Sequence, residues 1–100
     1  MRIPRSSYDD DTAKPAWLPI QGRKGQPLKP IVRCACGSLV GLRAHHVHAD
    51  GRVTASFYHW WPPDSEMGRS HQGCGFHEFL ELEGYTTDPQ YAGLEFPPVT

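Results

Sequence analysis

Apolar and polar residues alternate in short runs through the middle of the chain, and this period-two pattern is typical of β-strands. Runs at 28–33, 38–48 and 52–60 predict three strands. The third run is rich in the β-branched and aromatic residues that favour strands. Asp50-Gly51, between the second and third runs, predicts a β-hairpin turn. Residues 78–83 alternate imperfectly and predict a last strand, with one helical turn over 77–82 as the alternative.

The third run also predicts how its side chains divide between the two faces of a sheet. Successive residues of a strand point to opposite faces. One face therefore carries Val53, Ala55, Phe57 and His59, and the other carries Thr54, Ser56, Tyr58 and Trp60.

Prolines dominate both ends of the chain. Residues 1–30 hold five of the ten prolines, and residues 86–100 hold three more. Proline fixes φ and lacks the amide proton, so we expect no helix or central strand in residues 1–30. The prediction is a small mostly-β protein: an extended arm over 1–30, a domain over 31–85 and an extended tail over 86–100. The domain is expected to be an antiparallel sheet of three to four short strands.

The 100 residues are enough for one domain at most. No apolar run approaches the roughly 18 to 20 residues needed to cross a bilayer. The first residues also lack the charged-then-apolar order of a signal peptide. We therefore expect a protein made in a cytoplasm, without a membrane partner.

The formal charge of −1 conceals an asymmetry along the chain. Residues 1–33 carry seven Lys or Arg against three Asp, whereas residues 34–100 carry three Arg against eight acidic residues. An acidic domain repels phosphates. Nucleic acid binding would thus depend on the cations of the arm, which are Arg2, Arg5, Lys14, Arg23, Lys24, Lys29 and Arg33.

All three cysteines and all six histidines lie between residues 34 and 77. Cys34-Ala35-Cys36-Gly37 opens this segment and Cys74-Gly75-Phe76-His77 closes it. An odd number of cysteines argues against a disulfide framework and favours thiolates that bind a metal. Structural zinc takes four Cys or His ligands in short-spaced pairs. The sequence therefore predicts a zinc site. A structural metal is one of the usual ways in which a small hydrophobic core is stabilised.

His77 is the first choice for the fourth ligand, because one tight turn brings it beside Cys74. His71 is the substitute, three residues before Cys74. His59 is a further candidate that approaches from the side, although a partly buried hydrogen-bonding role suits it better. The alternative for the whole group is free cysteines and surface histidines without a metal.

His45, His46 and His48 form a separate cluster before the predicted hairpin. Alternation places His46 and His48 on one face of a strand and His45 on the other, so they cannot all bind one ion. A second metal site is one interpretation. The His-His pair also resembles the start of the His-Asn-His nuclease motif, but the chain contains no asparagine. We therefore rank a nuclease below the non-enzymatic alternatives.

Several short motifs together resemble a group of small zinc-ribbon-like proteins of tailed bacteriophages. The matching positions span residues 34–85: Cys34, Cys36, Gly37, His46, Asp50, Gly51, Val53, Ser56, Cys74, Gly75, Phe76, His77, Leu82, Gly84 and Tyr85. The resemblance implies a zinc-ribbon fold with Cys34, Cys36, Cys74 and His77 as ligands. The Cys-x-Cys pair is shorter than the usual Cys-x-x-Cys of such ribbons.

Two functions follow as expectations. The first is a zinc-stabilised, non-enzymatic structural protein, a minor virion component that decorates the capsid or binds near the connector. Its location would be the virion or the host cytoplasm, its partners other virion or assembly proteins, and its anchors Trp17, Trp60, Trp61, Tyr91 and Phe96. The second is a nucleic-acid-binding zinc ribbon that uses the basic arm.

Overall fold

Two β-sheets form the computed structural model, which describes residues 1–10, 12–66 and 68–99. The strands in these ranges are β1 (Arg2–Ile3), β2 (Ala16–Gln21), β3 (Pro27–Arg33), β4 (Leu39–Gly41), β5 (His46–Val47), β6 (Arg52–Trp60) and β7 (Gly73–Leu82). One short 3-10 helix covers Tyr85–Thr87, and the described ranges contain no α-helix. The expectation of a small mostly-β protein is confirmed.

The larger sheet has the strand order β1-β7-β6-β5. β5 and β6 form the hairpin predicted at Asp50-Gly51, and Gly51 takes the φ of 90° that this turn requires. β6 has the bounds that its alternation predicted. β7 lies antiparallel to β6, whereas β1 pairs parallel to β7 at the far edge. No helical turn occurs over 77–82, because these residues belong to β7.

The smaller sheet has the order β2-β3-β4, and its central strand lies partly within the expected arm. The expected boundary at residue 30 falls inside β3. The prolines are accommodated at positions that need no regular ladder bond. Pro27 begins β3, while Pro19 and Pro30 lie at the register shift between Leu18 and Ile20. Proline content therefore excludes a regular strand here, but not a bulged one.

The second predicted run, 38–48, divides between the two sheets. β4 belongs to the smaller sheet and β5 to the larger one. Between them the chain turns at Leu42, whose carbonyl accepts a hydrogen bond from the amide of His45 at 2.9 Å. Leu42 is buried in the core, so this turn carries the chain from one sheet to the other.

Three aromatic side chains form the centre of the core. Trp17 lies 5.8 Å from both Tyr85 and Tyr91, measured between ring centroids, and all three are buried. The hydroxyl of Tyr91 donates to the carbonyl of Leu28 at 2.7 Å and accepts from the amide of Ile20 at 2.9 Å. The core thus joins residues from both ends of the chain.

The C-terminal tail packs on the chain's own sheet. Val47 and Phe96 exchange two backbone hydrogen bonds, at 2.8 and 2.9 Å. The amide of Val99 donates to the carbonyl of Arg43 at 2.8 Å. This segment therefore extends the edge of the larger sheet beyond β5.

Within the described residues, no helix is long and apolar enough to span a membrane.

On β6, Val53, Phe57 and His59 share one face as the alternation predicted, and all three are buried. Ala55, on the same predicted face, is exposed.

Candidate metal centre

The turn after β3 presents two of the three thiols. Cys34 directly follows the strand, and its amide donates to the carbonyl of Ser38 at 2.8 Å. The amide of Gly37 donates to the carbonyl of Cys34, also at 2.8 Å, and Gly37 has a φ of 92°. A glycine at this position allows the left-handed conformation that closes the turn. The result is a tight loop that directs Cys34 and Cys36 towards the larger sheet.

The β6–β7 pair provides the other two side chains. His59 lies near the end of β6, and Cys74 is the second residue of β7. Gly73 makes their approach possible: a Cβ at this position would lie 2.2 Å from the carbonyl oxygen of His59. The pairing of Trp60 with Gly73 therefore brings the two strands together as only glycine permits.

The four side chains meet at one point. Cys34 Sγ lies 3.3 Å from Cys74 Sγ, and His59 Nδ1 lies 3.4 Å from Cys74 Sγ and 3.5 Å from Cys36 Sγ. All four ligand atoms lie within 4.8 Å of one another. The cysteines are not joined by disulfides.

This geometry fits a tetrahedral metal. With Zn–S near 2.3 Å and Zn–N near 2.1 Å, the edges of a zinc tetrahedron are about 3.6 to 3.8 Å. The measured separations are close to these edges and need only small side-chain adjustments. Three thiolates with one imidazole are a common closed donor set of structural zinc. The donor set is thus compatible with zinc as the cofactor.

The two thiols of the loop differ in acidity. Burial raises the pKa of the Cys34 thiol to about 12. Burial also acts to raise the pKa of Cys36, yet hydrogen bonds with the side chain and backbone of Ser38 outweigh it and lower the pKa to about 7. A bound cation favours the thiolate of both. Of the two loop thiols, Cys36 therefore forms the metal-binding thiolate more readily.

His59 is held in its neutral form. Burial and, secondly, the nearby ring of His71 lower its pKa below the ordinary value. Neutral imidazole is the form that binds metals. Nδ1 faces the thiols, and Nε2 is buried without a hydrogen-bond partner among the described residues. Trp61 and His71 pack against the ring, with centroids 5.3 and 5.2 Å away.

The structure brings together Cys34, Cys36 and Cys74, with His59 as the fourth member rather than His77. His77 lies outside the group, with its Nε2 2.9 Å from Ser56 Oγ and its ring stacked on Tyr58. His71 contacts the back of the His59 ring and does not join the thiols. The sequence feature that indicated an inward-facing His59 is its place on the same face of the strand as Val53 and Phe57.

The expected partner anchors differ in how much of each side chain is exposed. Trp17 and Tyr91 are buried in the chain's own core, and Phe96 packs against that core. Trp61 is half-buried beside His59. Trp60 is 41% exposed and stacks on Tyr58, so it is the anchor that stays available.

No family model and no solved structure matches this chain. The chain is 41% identical over 95 residues to a rice protein (Oryza sativa subsp. japonica), Agmatine hydroxycinnamoyltransferase 1. The match covers 90% of this chain and 19% of the rice protein. The chain therefore spans about a fifth of the length of this relative, which does not place it in that protein's family.

Proposed function

We propose that this chain is a zinc-stabilised structural and interaction module without catalytic activity. The observation that carries the proposal is the origin of the four ligands. Cys34 and Cys36 follow the central strand of the smaller sheet, whereas His59 and Cys74 belong to the larger sheet. A metal bound there links the two sheets, which is the role of a structural ion in a small core.

A zinc-ribbon identity is the finer proposal for the fold. Its support is the pair of ligand-bearing segments: the glycine-closed loop at Cys34–Gly37 and the close β6–β7 approach at Gly73. Zinc ribbons are likewise closed sites with four Cys or His ligands.

A virion role is the finer proposal for the function, and it rests on the resemblance of residues 34–85 to phage zinc-ribbon-like proteins. The outward face of β6 and β7 offers a surface for a partner. Tyr58, Trp60 and Phe79 are 51%, 41% and 68% exposed there. Exposed aromatic side chains of this kind are the usual anchors of protein interfaces.

Nucleic acid binding is the weaker alternative, because several cations of the N-terminal segment are already used within the chain. The guanidinium of Arg33 is buried and donates to the carbonyls of Ser7 and Asp10. Arg5 pairs with the buried carboxylate of Asp88 at 2.5 Å. These side chains are therefore poorly placed to neutralise phosphates.

Acyl transfer, which the name of the rice protein states, is also a weaker proposal for this chain. The shared region is 19% of that protein's length. In the cluster described above, three thiols surround a single imidazole, which is the donor set of a structural metal.

The zinc proposal is tested by elemental analysis of the purified protein and of Cys74→Ser. We expect one zinc per chain in the wild type at the thiol site, and its loss in the variant. A folded wild type that contains no metal at this site would refute the proposal. The virion proposal is tested separately, by mass spectrometry of phage particles purified from the source that encodes the chain. Absence of the chain from intact particles would overturn that part alone.

A further inference from the structure

A second group of ligand-type side chains lies at the edge of the larger sheet, away from the thiols. It consists of His46, His48 and Glu95. His46 Nε2 lies 3.4 Å from Glu95 Oε1, and His48 Nδ1 lies 4.0 Å from the same oxygen. The three ligand atoms lie within 4.8 Å of one another. The third histidine, His45, lies apart, with its Nε2 3.2 Å from the carbonyl oxygen of Ser56.

The backbone brings the three residues together. Val47 and Phe96 pair through two hydrogen bonds and turn towards the core. Alternate residues of paired strands point to opposite faces. The residues on either side of Val47 and the residue before Phe96 therefore share the outer face.

A lysine holds the two segments at this spacing. The ammonium of Lys29 donates to the carbonyl of His45 and, at 3.2 Å, to the carbonyl of Pro97. One side chain thus links the start of β5 to the tail that carries Glu95. Backbone pairing and the Lys29 hydrogen bonds therefore hold the segments of the cluster together.

One nitrogen of each imidazole lies near the carboxylate of Glu95. His48 Nε2 lies 2.9 Å from Thr54 Oγ1, which leaves Nδ1 to face the carboxylate. His46 Nε2 is buried and has no hydrogen-bond partner among the described residues. The two rings stack at 4.0 Å between centroids. Metal-binding histidines usually use their second nitrogen for such an orienting hydrogen bond, as His48 does with Thr54.

We propose that His46, His48 and Glu95 form a second metal site, which binds a first-row divalent cation such as zinc or nickel. Two imidazoles and one carboxylate are the donor set of sites that keep coordination positions open for water or another ligand. Glu95 is 56% exposed, so the ion exchanges with solvent. The site is independent of the thiol centre, because the two share no residue.

The test is a calorimetric titration with Ni²⁺ of the 100-residue chain, whose thiol site already contains zinc. We expect one further equivalent to bind. His46→Ala and His48→Ala should each weaken this binding by more than about tenfold, and Thr54→Val by about tenfold. Glu95→Gln keeps the shape of an exposed side chain and should also weaken binding. His77→Ala is the matched control, because this histidine bonds to Ser56 outside the cluster, and it should bind as the wild type does.

A second readout locates the ion. Paramagnetic Ni²⁺ should broaden the imidazole NMR signals of His46 and His48 before that of His77. The near-ultraviolet circular dichroism and zinc content of each variant show whether it is folded. The proposal is overturned if the wild type binds no further equivalent. It is also overturned if folded His46→Ala and His48→Ala bind Ni²⁺ as the wild type does. The cluster would then be an ion pair between His46 and Glu95.

Discussion

The fold builds the two ligand clusters in different ways. β6 contributes to both, through His59 in the thiol centre and through Thr54, which orients His48. The thiol centre takes its four side chains from both sheets, and it includes the buried residues Cys34 and His59. The cluster of His46, His48 and Glu95 takes its side chains from the edge of one sheet and one neighbouring segment. The first couples metal binding to the joining of the sheets, whereas the second adds metal binding to a surface that is already folded.

This difference separates two uses of a metal in a small protein. An ion that bridges sheets contributes its binding free energy to folding. An ion on a solvent-exposed edge stabilises the fold by the same linkage, but a weaker site adds less at the same ion concentration. Substitutions in the two clusters should therefore have unequal effects on stability, and the predictions below test that inequality.

The largest effect is expected for Cys74→Ser. Loss of one thiolate should remove the metal and lower the free energy of unfolding by about 3 kcal/mol, or the melting temperature by about 12–24 °C. His48→Ala, the matched change in the other cluster, should shift the melting temperature by less than about 3 °C. Thermal melting with and without a chelator measures both. Equal shifts in the two variants would remove the distinction between the clusters.

The next effect concerns the fourth ligand of the thiol centre. His59→Ala should reduce the zinc content and lower the melting temperature, because Nδ1 of His59 faces the thiols. His77→Ala should retain the zinc, since its Nε2 bonds to Ser56 Oγ at 2.9 Å. Elemental analysis of the two variants decides between them. Zinc lost from His77→Ala and kept in His59→Ala would make His77 the ligand.

A smaller effect is expected for Gly73→Ala. The added Cβ would meet the carbonyl oxygen of His59 at 2.2 Å, so β6 and β7 must separate at the metal centre. We expect a loss of about 2.5 kcal/mol, together with weaker zinc binding.

Gly75→Ala is the control for this substitution. Gly75 has a φ of 81°, close to the 89° of Gly73, but its added Cβ meets nothing within 4 Å. It should lose only the roughly 1–2 kcal/mol of a left-handed conformation. Equal losses of stability in the two variants would show that the close approach at Gly73 does not matter.

The smallest effect on stability is expected for Ser38→Ala, which changes reactivity instead. In metal-free protein, Cys36 should react with iodoacetamide at a rate that rises with pH through about 7, because the thiolate is the nucleophile and Ser38 stabilises it. Ser38→Ala should move this midpoint to higher pH. Mass spectrometry of the alkylated protein measures it, and an unchanged midpoint would exclude the role of Ser38.

The sequence predicted the local features of the fold well. β6 extends over the predicted residues 52–60, because alternation and the Asp50-Gly51 turn act within a few residues. The strand that contains Pro19 was not expected, since this proline lies at a bulge that only the pairing of β2 with β3 defines. Bulge positions depend on the partner strand and are not encoded in one segment.

The sequence predicted the three cysteines of the candidate site. The structure places His59 beside them, and not His77. The Cys-x-x-His spacing favours His77 only if one tight turn contains both residues. Residues 73–82 instead form β7, in which three residues span about 10 Å. His59 reaches the thiols through strand pairing, and sequence spacing does not report such pairing. The contribution of Glu95 to the second cluster was missed for the same reason.

The aromatic centre of the core has a consequence for the order in which the molecule can fold. Trp17 is covered by Tyr85 and Tyr91, and β1 pairs with residues 81 and 82 of β7. During synthesis this tryptophan stays in water until the segment with Tyr85 and Tyr91 has left the ribosome. We therefore expect slow folding after synthesis, as contacts of large sequence separation impose. Tryptophan fluorescence of chains arrested before and after residue 91 would detect the step.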